Sequence, residues 1–88
     1  DPWRRAPKVV YRLSAKLGRL DGALGGEAVL DIRWSLHDER SGTPLVTRNT
    51  HLARPLGAAD FQALAAAYSL LLADFSREVA QELERLIR

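Results

Sequence analysis

The side chains best suited to chemistry are two histidines and a scatter of carboxylates, and their spacing assembles no site. His37 stands beside Asp38 and Glu39, and His51 follows Asn49-Thr50. A metal centre needs roughly three or four convergent donors. Neither histidine has a ligand-spaced neighbour, so both read as a solvated turn residue and a strand residue. The chain has no Cys, which removes disulfides and thiolate metal sites. G-x-S-x-G, H-E-x-x-H, Walker and dinucleotide fingerprints are absent. Gly22, Gly25 and Gly26 miss the phosphate-loop spacing and fall between strands rather than before a helix. Asp31 and Arg33 share the outward side of one expected strand, and Arg12 and Lys16 that of another. Cross-strand charge pairs there would contribute about 0.2–1 kcal/mol and imply no catalysis. No enzyme activity, cofactor or metal is expected.

Binding chemistry is better represented. The formal net charge is only +2, but residues 1–20 hold Arg4, Arg5, Lys8, Arg12, Lys16 and Arg19 against Asp1 alone. Arg4, Arg5, Lys8 and Arg12 are the candidate contacts to an anionic ligand, a lipid head group or nucleic acid. The plainer reading is a solvated strand face and a loose terminus. Trp3 and Tyr11 interleave with these arginines, but a sheet that reads RNA displays aromatics on an open face. Tyr11 shares its strand face with Val9 and Leu13, which places it in the core, and nucleic acid is not the expected partner.

The elements that would position these residues follow from periodicity. From Lys8 to Leu20 the pattern alternates, with Val9, Tyr11, Leu13, Ala15 and Leu17 on one side, a half-buried strand. Asp21-Gly22 and Gly25-Gly26 bracket a hairpin connection. Ala28, Leu30, Ile32, Trp34 and Leu36 then alternate with Val29, Asp31, Arg33 and Ser35 in the clearest strand of the chain. His37 to Gly42 is a polar turn, with Gly42 the left-handed residue. Thr43 to Ala53 is a third strand whose β-branched Val46, Thr47 and Thr50 favour extension, though its weak alternation leaves the inward face open. Pro55 ends it, and Asp60 caps a helix running to about Ile87. Phe61, Leu64, Tyr68, Leu71, Leu72, Phe75, Val79, Leu83 and Leu86 recur at steps of three and four. At about 100° per residue they span an arc roughly 120° wide, one buried face. The expected fold class is α+β: a three-stranded antiparallel meander followed by one long C-terminal helix packed on one sheet face.

The back of that helix is uneven. Its second half is polar, with Asp74, Arg77, Glu78, Gln81, Glu84, Arg85 and Arg88 outward, but Ala63, Ala66, Ala67, Leu70 and Ala73 lie opposite the buried stripe. A helix apolar all round in one stretch is usually covered there by more protein. These five are the candidate interface with another subunit or a further part of the parent chain, the plainer reading being that alanine tolerates water in a helix. Eighty-eight residues make a single small domain, 1–88. A hydrophobic share of 47% argues against disorder. No apolar run reaches the about 18–20 residues of a membrane span. Asp1-Pro2-Trp3 is not a natural translation start, so the chain is expected to be processed or cut from something longer.

An ordered series of segments resembles a known family. Val10-Tyr11-Arg12-Leu13, Leu20-Asp21-Gly22 and the run Gly26 to Leu36 are similar to the ABC-type transport auxiliary lipoproteins (PqiC-like). The likeness continues through Gly42, Leu45-Val46, Arg48, Asp60-Phe61-Gln62-Ala63-Leu64, Ala67 to Leu71 and Phe75 to Ala80. It covers nearly the whole chain but corresponds to the C-terminal half of a family member. The resemblance implies a periplasmic lipoprotein anchored in the outer membrane of Gram-negative bacteria. It implies a non-enzymatic accessory role beside an MCE-type protein and ABC transporter components, in lipid transport and membrane integrity, with homo-oligomeric assembly. The lipidated Cys of such proteins has no counterpart among these residues.

Overall fold

The computed structural model describes residues 10–87, arranged as three strands and a helix. β1 (Tyr11–Gly22), β2 (Glu27–Asp38) and β3 (Pro44–Pro55) precede α1 (Phe61–Ile87). The sheet is an antiparallel meander in the order β1-β2-β3, and α1 lies over β2 and β3. Twelve-residue strands and a 27-residue helix are each about 40 Å long, so helix and sheet are matched in length.

Local chemistry sets the boundaries. Both hairpin connections carry a glycine in the left-handed region, Gly25 at φ 80° and Gly42 at φ 71°, where a Cβ is strained. The Asp38 carboxylate accepts from the Arg40 amide at 2.9 Å, closing the second turn as an Asx turn does. Asp60 caps α1: its carboxylate accepts from the Ala63 amide at 2.8 Å, the capping geometry of an N-terminal Asp. Gly22 allows a close approach, since a Cβ there would stand 2.6 Å from the Leu64 Cδ1.

Register explains which side of each strand faces the helix. Leu13, Ala15 and Leu17 stand opposite Leu36, Trp34 and Ile32, so these rows share the helix-facing side of the sheet. The ladder slips between Leu17 and Arg19. This bulge at Gly18 flips the parity of β1 and returns Leu20 to the same side, opposite Leu30. A second slip, beside Leu36 and His37, takes up Leu45 in the same way. On β3 the inward residues are Val46, Arg48, Thr50, Leu52 and Arg54, by their partners on β2. Three of these five are polar, which is why alternation in this strand is weak.

The core gathers Leu30, Trp34, Leu36 and Val46 from the sheet with Ala67, Leu71 and Val79 from the helix. The Phe75 ring meets the Trp34 indole edge to face at 5.8 Å and 84°, a favoured aromatic geometry. Two members of the expected stripe are not buried. Phe61 is 77% exposed because Leu64, one turn later, already lies against the last residue of β1. Leu72 is exposed because it sits about 160° around the helix from Asp74, which faces β3. Conversely, Asp74 and Glu78, expected outward, are half-buried against the sheet. The half-buried β1 of the sequence reading is also corrected. Leu13 and Leu17 are exposed and Tyr11 only partly buried, since one helix does not reach across all three strands.

The neighbours Leu71 and Leu72 test this placement. Truncating Leu71, fully buried, to Ala is expected to cost about 2–5 kcal/mol. Leu72→Ala should stay within about 0.5 kcal/mol. Urea denaturation of the two variants measures both, and equal losses would contradict the helix rotation.

Candidate functional site

Three surfaces carry features beyond packing. The first is the polar seam between α1 and β3. Trp34 donates through Nε1 to Thr50 Oγ1 at 2.8 Å, and Thr50 donates on to the Glu78 carboxylate. Arg54 forks onto Asp74 at 3.0 and 3.1 Å, and Arg48 donates to Glu82 at 2.7 Å. Arg77 and Arg85 brace the same two acids from within the helix. The hydrogen bond from Arg48 holds the Glu82 carboxyl below its ordinary range, helped by the positive fields of Arg48 and Arg85 and opposed by partial desolvation.

The second surface is the helix-facing row of β1, which α1 leaves uncovered. Leu13, Ala15 and Leu17 form it, all exposed, with Leu17 at 54%. Leu72 and Phe61 are exposed on the side of the helix turned away from Asp74. Isolated exposed leucines need no explanation, but a contiguous apolar row beside an open strand marks a contact surface.

The third is the alanine-rich side of the helix. Ala66, Leu70 and Ala73 are exposed there, and Ala63 is half-buried. Ala67 belongs to the core instead, only 5% exposed, because it precedes Leu71 by one turn and packs on the sheet with it. A groove of about 270 Å³ runs between this side and the end of β3, lined by Arg54, Pro55, Gly57, Ala63, Ala66 and Leu70.

The basic residues are dispersed. Arg4, Arg5 and Lys8 lie outside the described residues. Arg12 is exposed and pairs with Glu39 at 3.5 Å. Of the outward charges on β1 and β2, Arg19 meets Asp31 at 3.9 Å, and the register sets Lys16 opposite Arg33. Asp21, 2.8 Å from Arg19, raises that guanidinium further above its usual range, first by a hydrogen bond and then by its charge. His51 bonds Asp31 through Nδ1, and His37 stands at the end of β2. Among the described residues no three His, Cys, Asp or Glu side chains gather into a metal-binding group. Also among them, no helix is long and apolar enough to cross a membrane.

Comparison with known proteins decides the family. Residues 1–80 match the profile described as ABC-type transport auxiliary lipoprotein component. The chain belongs to this family. A crystal structure of a Xanthomonas campestris protein from the DUF330 family matches with a TM-score of 0.70 and 23% identity, over 80% of this chain and 43% of that one. A Caulobacter crescentus protein, described as a candidate lipoprotein, matches with a TM-score of 0.72 and 17% identity, over 96% of this chain and 71% of that one. At these identities the likeness is one of fold. The chain spans less than half the length of the first relative. No curated protein matches.

The polar seam makes a pH prediction. A carboxyl whose folded pKa is depressed stabilises the fold above its unfolded value and ceases to do so as pH falls through the folded one. Glu82→Gln should therefore melt lower than the parent at neutral pH. The gap should close on acidification below about 4.5, the ordinary value for this group. Melting temperatures of both proteins across that range are the measurement, and a gap that persists unchanged in acid would contradict the Arg48–Glu82 bond.

Proposed function

We propose that this chain is the contact module of an accessory, non-enzymatic component of lipid transport across the Gram-negative envelope. The parent protein would be a longer periplasmic lipoprotein anchored in the outer membrane, working beside an MCE-type protein and an ABC transporter and supporting membrane integrity. Family membership supports the transport-auxiliary role. The observation that carries the mechanism is the apolar surface left on both flanks of α1, which gives the chain something to hold another protein with.

The two flanks suit different neighbours. The exposed row of Leu13, Ala15 and Leu17 on β1 lies open to solvent, and further residues of a longer parent are its proposed cover. The patch of Ala63, Ala66, Leu70 and Ala73 is small-sided, so a second subunit can approach the helix closely. We assign the subunit contact of a homo-oligomer there. Mechanism in this reading is positioning: a rigid sheet and helix hold the transporter's periplasmic parts in register.

Covering one such leucine contributes about 1.5–3 kcal/mol. Leu70→Glu is therefore expected to weaken self-association by about ten-fold or more, with the melting temperature retained because Leu70 is 48% exposed. Leu17→Ser should lower the binding of a hydrophobic dye without changing the oligomer. Light scattering and dye fluorescence read these outcomes. A strictly monomeric chain that binds no dye would overturn the contact reading.

A further inference from the structure

The side of the sheet turned away from α1 carries a charge arrangement that neither packing nor ion pairing accounts for. Lys16 on β1 pairs in register with Arg33 on β2, and Arg33 with Asn49 on β3. Residues so opposed have Cβ atoms about 4.5–5.5 Å apart, and like charges there destabilise the sheet. The acids nearby are engaged elsewhere. Asp31 is held by Arg19 at 3.9 Å and by His51, Asp21 by Arg19 at 2.8 Å, and Glu39 by Arg12 at 3.5 Å. Among the described residues, neither Lys16 nor Arg33 has a carboxylate partner. A lysine on an edge strand commonly guards that edge against pairing, which would explain Lys16 alone. Arg33 lies on the central strand, where no edge is free.

These side chains line a concavity of about 250 Å³ together with Gly18, Asp31, His51 and the buried Ile32 and Thr50. Gly18 is the bulge residue, and its missing side chain keeps the floor open. A Cβ there would meet only Asp31, its carbonyl oxygen at 3.5 Å and its Cβ at 3.9 Å, so the space is real and glycine is not forced by crowding. We propose that this concavity binds a phosphate group. Lys16 and Arg33 supply charge and donors, and Arg33 can fork onto two phosphate oxygens. Asn49 adds a neutral amide donor. His51 donates its Nδ1–H to Asp31, and Arg19, 3.9 Å from the same carboxylate, offsets its charge at the rim. Repulsion between the two cations is relieved when the anion sits between them. Lipid head groups and soluble phosphate compounds share this chemistry.

The test uses the 88-residue chain. Titration with inorganic phosphate, followed by backbone amide resonances, should give saturable shifts centred on Lys16, Gly18, Arg33 and Asn49. Lys16→Ser and Arg33→Ser should each weaken binding by about ten-fold or more. Their melting temperatures should equal or exceed the parent's, because each removes the opposed charge. Asn49→Asp, a surface change that preserves the fold, should weaken binding as well. Co-sedimentation with vesicles of phosphatidylglycerol and phosphatidylcholine in equal parts, against phosphatidylcholine alone, separates the sources. Vesicle binding that Arg33→Ser abolishes assigns a lipid head group, and a phosphate response without vesicle binding assigns a soluble compound. The proposal is overturned by the absence of a saturable response, or by phosphate or vesicle binding that survives Arg33→Ser undiminished.

Discussion

Burying the indole of Trp34 is the constraint on which the rest depends. An indole taken out of water must place its N–H on an acceptor or lose about 1–3 kcal/mol. Trp34 is 1% exposed, and its acceptor is the hydroxyl of Thr50 on the neighbouring strand. Thr50 is itself buried, so its own proton must go somewhere, and it goes to Glu78 on the helix. One chain of hydrogen bonds thus ties β2 to β3 and β3 to α1. Glu78 facing β3 fixes the rotation of the helix, and the acids one turn away on either side, Asp74 and Glu82, then face the same strand. Four helical residues rise about 6 Å, close to the about 6.6 Å between alternate strand residues. Glu82 therefore falls beside Arg48 as Glu78 falls beside Thr50. Arg54 lies farther along, and its long side chain spans the remainder to Asp74.

A second constraint is width. A helix is about 10 Å across and strands lie about 4.8 Å apart, so one helix covers two strands well and a third poorly. The polar seam decides which two. With α1 drawn over β2 and β3, the apolar row on β1 is left in water although its alternation matches that of a core strand. Burial in this fold is therefore not a property of the strand's own sequence. It depends on where the single helix is pulled, and the pull comes from side chains on the opposite edge of the sheet.

This explains what could be read from residues alone. The three strands, the left-handed Gly42, the Asp60 cap and the end of the helix were legible because each rests on a local rule: alternation, φ, or the needs of exposed backbone amides. The central strand was clearest because both of its neighbours are hydrogen-bonded to it and its inward row meets the helix. The exposure of Leu13 and Leu17 was not legible, since alternation marks which residues share a face and not whether that face is covered. Leu72 and Ala67 exchanged roles for a related reason. A helical wheel gives the relative angles of side chains, while the rotation of the whole helix is set by Glu78 and Thr50, which no hydrophobic pattern contains. The opposition of Lys16 and Arg33 required the register of two strands, including the slip at Gly18 that follows it.

The strand hardest to read proves the most consequential. Arg48, Thr50 and Arg54 occupy inward positions of β3 where a half-buried strand ordinarily places apolar groups, and they draw Asp74, Glu78 and Glu82 to that side of α1. Arg77 and Arg85 then clothe the same flank in charge. Such pairs contribute little stability each when partly exposed, so their effect is chiefly one of orientation. Along the second half of the helix, this charged flank offers an apolar partner nothing, because docking there would strip water from ions already satisfied. Apolar surface remains along β1 and on the alanine-rich half of the helix. The polar face of one strand thereby determines, from across the sheet, where a neighbour can be joined.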